Sequence, residues 1–227
     1  MTDLATLTRL CPPPDPPMAI RWDAVEARLG MPLPQDYKDL ADLYGPGAFD
    51  DYLSPYHPHG VTEFVNLIGP MPGRIREQLR RDRERGSHPV PHPPDRLFAC
   101  GVTDNGEYLF WVTDPAGAPD RWPVAVNEAR GPRWFTHEGT LTSFLVGVFR
   151  GTVSVPLFPR GLAGPRHRFV PSRPTLWKPG PPVATTSVDT GQIRSWARAR
   201  GYDVPPRGRV PREVREAWER AHSETAS

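Results

Sequence analysis

Several stretches of the first 150 residues place apolar side chains at the i, i+3, i+4 spacing of an amphipathic helix. In the first of them Trp22, Val25 and Leu29 share one face, and Gly30 follows at the position where a helix commonly ends. Pro34 suits the start of the second, because proline is favoured in the first turn of a helix. The helices predicted in this way span residues 21–29, 35–44, 73–86 and 140–149.

Shorter apolar runs between these helices are typical of strands. Asp104, Asn105 and Gly106 separate two such runs, and this combination of turn residues predicts a β-hairpin. The predicted strands span residues 48–53, 61–67, 97–102, 107–113 and 123–127.

Two further amphipathic segments lie near the C-terminus. The first has an apolar stripe made by Ile193, Trp196 and Ala197, and Gly201 suits the position after its last turn. The second begins near Pro211, again a residue favoured in a first helical turn. Its apolar positions repeat at Val214, Ala217, Trp218 and Ala221. Two helices of about three turns each can bury these faces against each other and leave a loop between them.

The loop contains Arg207-Gly208-Arg209, bracketed by prolines that restrict φ and favour an extended segment. Arginine carries a planar, permanent charge that fits the narrow and strongly negative minor groove of A·T-rich DNA. Gly208 lacks a side chain, so the backbone between the arginines can approach the floor of the groove. Further arginines are candidates for contacts to DNA phosphates: Arg194, Arg198, Arg200 and Arg212.

The order and spacing of these residues resemble a known family. Ile193-Arg194-x-Trp196-Ala197 with Gly201-Tyr202, then Arg207-Gly208-Arg209-Val210-Pro211 with Val214 and Ala217, is similar to the C-terminal DNA-binding domain of the Lsr-type nucleoid proteins of actinobacteria, which are H-NS-like xenogeneic silencers. The resemblance covers residues 188–223 and implies binding of A·T-rich double-stranded DNA, with the Arg-Gly-Arg loop in the minor groove. Trp218 stands where the family usually has tyrosine, and the family's N-terminal oligomerisation domain has no counterpart in this sequence.

Charge is distributed unevenly along the 227 residues. Residues 1–159 contain 15 basic and 20 acidic residues, whereas residues 160–227 contain 13 basic and 6 acidic residues. This layout is typical of a protein in which one part contacts nucleic acid and the other does not. The chain from 151 to 187 is rich in proline, arginine and glycine, which indicates a semi-rigid basic linker. Phe158, Phe169 and Trp177 could dock this linker on the first domain, or its arginines could contact phosphates.

Residues 20–150 resemble a second family. Trp22-x-x-Val25-Glu26-x-x-Leu29-Gly30-x-x-Leu33-Pro34-x-x-Tyr37-x-x-Leu40 is similar to the N-terminal signature of the SUKH superfamily; Asp104-Asn105-Gly106-x-Tyr108-x-x-Trp111, Trp122-Pro123-Val124 and Phe144-Leu145 are compatible with it. The resemblance implies an α+β fold, with helices packed on an antiparallel or mixed sheet. Such domains bind proteins, often as immunity proteins against bacterial toxins, and the resemblance implies no catalysis.

The sequence therefore predicts a lead-in at 1–17, a SUKH-like α+β domain at 18–150, a linker at 151–187 and a helix-loop-helix DNA-binding domain at 188–223. The predicted function is that of a nucleoid-associated, regulatory DNA-binding protein whose first domain binds a toxin or a second copy of the chain. The alternative is an immunity protein in which the DNA-binding segment only localises the chain.

Other groups of residues are weaker candidates for chemistry. Convergent zinc ligands are missing from the histidine-containing loops, the acids adjoin turn residues, and the tryptophans suit a core or its rim. We therefore expect no metal, no cofactor and no enzymatic activity. These groups are the histidines His57, His59, His88 and His92, the acids Asp50, Asp51 and Asp104, and the tryptophans Trp111, Trp122 and Trp134.

The remaining features concern the cellular setting. Cys11 and Cys100 form no motif and are expected to be free thiols. No apolar run approaches the 18 residues or more of a membrane-spanning helix, and residues 1–10 lack the basic and apolar regions of a secretory signal. The expected location is the cytoplasm, at the nucleoid.

Overall fold

The computed structural model describes residues 2–14, 17–129, 131–172 and 190–202, together with positions 214, 217, 218 and 221. The chain divides into two compact units, Met1–Thr175 and Leu176–Ser227, and each is described by itself. The helices of the first unit are α1 (Asp3–Leu10), α2 (Trp22–Leu29), α3 (Gln35–Tyr44), α4 (Met71–Arg85) and α5 (Leu141–Arg150). Its strands are β1 (Gly47–Phe49), β2 (Leu53–Pro55), β3 (Leu97–Thr103), β4 (Tyr108–Val112), β5 (Val124–Asn127), β6 (Trp134–His137) and β7 (Phe169–Pro171). The second unit contains α6 (Thr190–Ala199).

An antiparallel sheet of seven strands forms the centre of the first unit, in the order β6-β5-β4-β3-β2-β1-β7. Its central strands β3 and β4 are buried along almost their whole length, so both faces of the sheet are covered there. α1, α3 and α5 pack on one another, and α4 packs on β3. The predicted α+β fold is therefore confirmed. Among the described residues, no helix has the length and apolar character needed to cross a bilayer.

The predicted helices begin and end close to their predicted residues. α3 matches its predicted span, α2 starts one residue later than predicted, α5 is displaced by one residue, and α4 starts two residues earlier. α2 ends at Gly30, whose φ of 67° is left-handed and whose N–H donates to the Glu26 carbonyl. At the start of α5 the Thr140 hydroxyl accepts a hydrogen bond from the Ser143 N–H, which satisfies one of the unpaired donors of the first turn.

The core is organised around the indole of Trp111 on β4. Its ring centroid lies 4.9 Å from that of Tyr37 on α3, 6.0 Å from that of Phe98 on β3 and 6.5 Å from that of Trp122. The Tyr37 hydroxyl donates to the Tyr56 carbonyl at 2.7 Å, so this buried polar group is satisfied. These contacts join the helical layer to the centre of the sheet.

The hairpin predicted at residues 104–106 connects β3 and β4. Gly106 has a φ of 93°, a conformation that favours glycine. The Thr103 N–H donates to the Glu107 carbonyl across the turn. The strands predicted on either side correspond to β3 and β4, and the last predicted strand corresponds to β5.

The single strand predicted over 48–53 is wrong, because the chain reverses within it. Asp50 and Asp51 both have positive φ, 51° and 54°, and form a tight turn between β1 and β2. Two consecutive positive φ values are those of a type I′ hairpin turn. The Tyr52 N–H donates to the Phe49 carbonyl across it. The interpretation of these two aspartates as turn residues is thus confirmed.

The strand predicted over 61–67 is also wrong, because this stretch folds back as a compact loop. The His57 N–H donates to the Val65 carbonyl, which closes the loop. A side chain at Gly60 would collide with the Val65 carbonyl, so glycine is needed for this close approach. Phe64, part of the apolar pattern, is 59% exposed and makes no strand pairing.

The sequence patterns missed β6 and β7. β6 pairs with β5, and β7 pairs with β1 at the edge of the sheet, with Phe169 opposite Phe49 and Pro171 opposite Gly47. A side chain at Gly47 would collide with the Phe169 ring, so glycine allows the two strands to approach. Because β7 belongs to this sheet, the first unit continues past residue 150 into the segment predicted to be a linker.

Both ends of the first unit are packed against its core. α1 lies within the predicted lead-in, and its Leu7 is fully buried, as is Cys11 directly after it. Phe158 and Phe169 pack against the core, which is one of the two alternatives predicted for the linker. Trp177, the third aromatic residue named for that role, lies outside the described residues.

His167 connects the chain before β7 to the turn between β1 and β2. Its ring is buried and stacks on Phe149, with centroids 4.3 Å apart. Nδ1 lies 2.6 Å from Oδ2 of Asp50, and Nε2 lies 3.0 Å from the Gly164 carbonyl oxygen. Oδ1 of Asp50 accepts the Arg168 N–H. One buried ring and one carboxylate thus hold β7 against the edge of the sheet.

We expect His167→Ala to lower the free energy of unfolding by about 2 kcal/mol or more, because it removes a buried hydrogen-bonding partner of a carboxylate. Arg168→Ala is the matched control. Arg168 pairs with Asp51 at an exposed position, where an ion pair contributes about 0–1 kcal/mol. Urea denaturation followed by circular dichroism measures both variants, and equal small effects would contradict the role given to His167.

His57 is held in its neutral form chiefly by its burial. It is 2% exposed; Nδ1 accepts the His59 N–H at 3.0 Å, and Nε2 lies 3.3 Å from the Ala41 carbonyl oxygen. Because Nδ1 is an acceptor, the ring proton lies on Nε2. Burial, opposed in part by the Ala41 carbonyl, lowers the pKa of His57 to about 4.

Stability should therefore fall as the pH drops from about 6.5 to about 4, because the unfolded chain protonates His57 in this window and the folded chain does not. Over this pH range the free energy of unfolding should fall by about 3 kcal/mol. His57→Asn keeps a donor and an acceptor without titrating, so its stability should depend less on pH than that of the unaltered chain. The exposed His88→Asn is the control. Urea denaturation at pH 7, 5.5 and 4.5 tests this, and parallel curves for His57→Asn and the unaltered chain would refute it.

Candidate nucleic-acid interface

The second unit is built on the apolar face of α6. Ile193 and Ala197 lie one turn apart on this face and are 2% and 0% exposed. They form a cluster with Val214, which is 5% exposed, and Trp196 and Trp218 pack against it. The described positions 214, 217, 218 and 221 are helical, in agreement with the second predicted helix. The predicted small core between the two segments is therefore present.

α6 ends in a Schellman motif. The Tyr202 N–H donates to the Ala197 carbonyl at 3.0 Å, and the Gly201 N–H donates to the Arg198 carbonyl at 3.1 Å. Gly201 has a φ of 79°, the left-handed conformation expected after the last turn. The Tyr202 ring stacks on Trp196, with centroids 5.9 Å apart and an angle of 16° between the ring planes. The predicted role of Gly201 is confirmed.

Two of the predicted phosphate-contacting arginines lie at the end of α6. The guanidinium carbon of Arg200 lies 4.7 Å from the ring centroid of Trp196, a cation–π contact that limits the directions open to this exposed side chain. Arg198 is exposed in the last turn of the helix. Both charges are accessible, which is what a contact to a DNA phosphate requires.

The other predicted site residues fall outside what the structure describes. In the sequence most of them lie between Tyr202 and Val214, and both of these residues take part in the packing of the second unit. The small core therefore holds the two ends of the segment that carries the Arg-Gly-Arg triplet. The residues outside the description are Arg207, Gly208, Arg209 and Arg212, together with the side chain of Arg194.

Sequence reasoning missed the pairing of Tyr202 with Trp196 and the contact of Arg200 with the same ring. A signal for the first was available, because the residue after the glycine of a Schellman motif commonly packs on the last turns of the helix. No sequence signal distinguished Arg200 from Arg198, since the cation–π contact depends on which way the chain leaves α6.

The candidates for other chemistry in the first unit are engaged in its structure. Both ring nitrogens of His57 contact backbone groups. Trp111 and Trp122 lie in the core, and Trp134 is partly buried at its edge with its indole N–H donating to the Pro89 carbonyl. Over the ranges that the structure describes, no three His, Cys, Asp or Glu side chains are placed to hold a metal ion.

The cysteines are free thiols, as predicted, and both are buried. Burial, with a smaller contribution from Asp50, raises the pKa of Cys11 to about 12. Burial also raises the pKa of Cys100 well above its ordinary value. Both thiols therefore stay protonated near neutral pH, the unreactive form of the side chain.

The packed helical segments and the basic stretch between them define a small DNA-binding unit. Comparison with known families agrees: residues 185–221 match the Lsr2 DNA-binding domain. The match includes α6, its buried partner Val214 and the Arg207–Arg209 triplet. No solved structure matches the chain. The chain thus carries the DNA-binding domain of a nucleoid-associated type of protein, and DNA is its partner.

We expect Ile193→Ala to weaken DNA binding at least tenfold, although Ile193 contacts no DNA in this scheme. The substitution leaves a cavity in a very small core, and such changes cost about 2–5 kcal/mol. Ser195→Ala, an exposed position on the same helix, is the control and should bind normally. Fluorescence anisotropy measures binding, and the indole N–H signals of Trp196 and Trp218 in nitrogen-15 NMR spectra report the core. Normal binding by Ile193→Ala would show that this core does not support the DNA contact.

Proposed function

We propose that the protein reads A·T-rich double-stranded DNA through its minor groove, with Arg207-Gly208-Arg209 as the reading segment. The observation that carries the proposal is that the Lsr2 DNA-binding domain match at 185–221 includes this triplet. The residues on either side of the triplet support it, because Tyr202 and Val214 both pack on α6. A segment anchored at both ends loses less conformational entropy when it enters a groove.

Electrostatics favour this choice of groove. A·T-rich tracts have a narrow minor groove with an enhanced negative potential, which attracts arginine in particular. Arg198 and Arg200 at the end of α6, with Arg194 and Arg212, would contact phosphates and set the register of the unit on the duplex. Phosphate contacts carry no sequence information, so the base preference would depend on the triplet alone.

We also propose that the first unit is a SUKH-like protein-binding module rather than an enzyme. Its α+β architecture and the motif beginning at Trp22 support this assignment. The Ser143 hydroxyl lies 2.9 Å from Nε2 of His137 but donates its proton to the Thr140 carbonyl. This Ser–His contact between described residues therefore does not have the arrangement of an activated nucleophile. A partner protein or a second copy of the chain bound there would bring several DNA-binding units together at the nucleoid and raise their effective concentration.

Replacing both arginines of the triplet, by lysine or by alanine, distinguishes the effect of their charge from the effect of their planar shape. Arg207→Lys with Arg209→Lys keeps both charges but loses the planar guanidinium, so we expect the A·T preference to fall while the salt dependence of binding is retained. Arg207→Ala with Arg209→Ala should lose the preference and most of the affinity. For the unaltered chain, about four or five neutralised phosphates predict a log–log salt slope near −4.

The measurement is fluorescence anisotropy of the full chain on A·T-rich and G·C-rich duplexes at several salt concentrations. Circular dichroism of each variant controls for folding. If the double alanine variant keeps its A·T preference, the triplet is not the reading segment.

A further inference from the structure

A cleft of about 450 Å³ lies in the first unit beside the end of α2, the first turns of α4 and the sheet. Its partly exposed apolar lining includes Leu29, Met31 and Ile68. Two arginines, Arg28 and Arg76, also line it. The cleft thus combines apolar walls with positive charge, which is the composition of a site for an amphipathic anion.

Arg76 is half-buried and forms no salt bridge with a described residue, although Asp95 lies near enough to act on its charge. Its guanidinium carbon lies 5.7 Å from the ring centroid of Phe98. Its Nε is excluded from solvent and makes no hydrogen bond to any described residue. Burial and the neighbouring Arg80 lower the pKa of Arg76, with Asp95 acting in the opposite direction. Arginine nevertheless remains charged in proteins, so a buried donor is left without an acceptor, an unfavourable arrangement.

Other arginines of α4 have partners. Arg74 pairs with Glu63 at 3.2 Å, and Arg81 pairs with Glu77 at 3.4 Å. Arg80 donates to Asp95 from both Nε and Nη2. These pairs lie at exposed positions, where a missing partner is replaced by water. Of the α4 arginines without an ion pair to a described residue, Arg83 and Arg85 are exposed, so Arg76 is the one that water reaches least.

The charges around the cleft favour a ligand with a single negative charge. Asp95 lines the cleft as well, but its carboxylate is already bonded to Arg80. The aspartate repels any anion, and it repels a phosphate monoester with two charges more strongly than a carboxylate with one. A carboxylate also matches the planar guanidinium. The partly exposed side chains of Met31 and Ile68 would contact an aliphatic or aromatic body.

We propose that this cleft binds a carboxylate carried on an apolar body, with the carboxylate on Arg76 and Arg28 at the rim. The site belongs to the first unit and does not depend on how the second unit reads DNA. A second cleft of similar volume lies between α4 and the β6 edge, and none of its described lining residues has a buried donor without a hydrogen-bond partner. Its side chains Gln78 and Glu128 are bonded to Asp82 and Arg133.

The test uses the full chain labelled with nitrogen-15 and two probes of the same shape, 4-phenylbutyrate and its neutral amide. We expect the acid to shift the Nε–H signal of Arg76 saturably and the amide to bind at least tenfold more weakly. Equal binding of acid and amide, or no saturable shift with the acid, would overturn the proposal. This comparison needs no substitution, so it holds even if a variant fails to fold.

Two variants locate the site. Arg76→Gln should weaken binding of 4-phenylbutyrate at least tenfold, as measured by calorimetry. Arg83→Gln removes the same charge from an exposed position of the same helix, outside the cleft, and should bind normally. Equal affinities of the two variants would show that the acid binds at another site and would contradict the assignment of Arg76.

A last comparison distinguishes the sources of the carboxylate. The dipeptide acetyl-Leu-Phe with a free C-terminus represents the end of a protein chain, and 4-phenylbutyrate represents a free acid. Tighter binding of the dipeptide would identify a protein terminus as the ligand. Tighter binding of the free acid would identify a small molecule as the ligand. If the Arg76 signal responds to duplex DNA and to neither carboxylate, the cleft is a phosphate site and the proposal is wrong.

Discussion

The packing of one indole ring decides how the first unit is assembled. Trp111 contacts Tyr37, Phe98 and Trp122, yet its Nε1 has no hydrogen-bond partner among the described residues. An unsatisfied buried donor costs about 1–3 kcal/mol. Burial of a ring of about 200 Å² contributes about 5 kcal/mol, and the three aromatic contacts add about 0.5–1.5 kcal/mol each. Packing therefore outweighs the lost hydrogen bond and fixes the position of α3 on β3 and β4.

The uneven distribution of charge favours DNA contacts at the C-terminal end of the chain. The first 159 residues are acidic overall, and three of the six arginines of α4 are paired with Glu63, Glu77 and Asp95. An acidic surface repels DNA at distances within the Debye length, about 8–10 Å at physiological salt. Residues 1–159 are therefore expected to raise DNA affinity through what they bind, and the basic residues after them are expected to supply the direct contacts.

Local patterns in the sequence predicted the helices and the site motif, but they did not predict the pairing of strands that lie far apart in the sequence. α2 and α3 follow from a 3.6-residue period and a helix-ending glycine, both of which lie within a few residues. β7 is three residues long and becomes a strand because Gly47 lets Phe169 approach β1, a contact across more than a hundred positions. The Ile193 stripe and Gly201 were likewise local signals and were predicted. The cation–π contact of Arg200 depends on tertiary packing and was not.

The small size of the second unit links its folding to DNA binding. The segment that matches the DNA-binding domain, residues 185–221, is shorter than about 40 residues, a length at which a chain usually needs a disulfide, a metal or a partner to fold stably. Both cysteines of this chain lie in the first unit. The described core of the second unit comprises Ile193, Ala197 and Val214 with two partly buried tryptophans. Such a core leaves little stability in reserve, so a ligand that binds only the folded form adds stability in proportion to the logarithm of its concentration over Kd. DNA is therefore expected to stabilise the folded form of this unit, in the way that a disulfide or a metal ion stabilises other small domains.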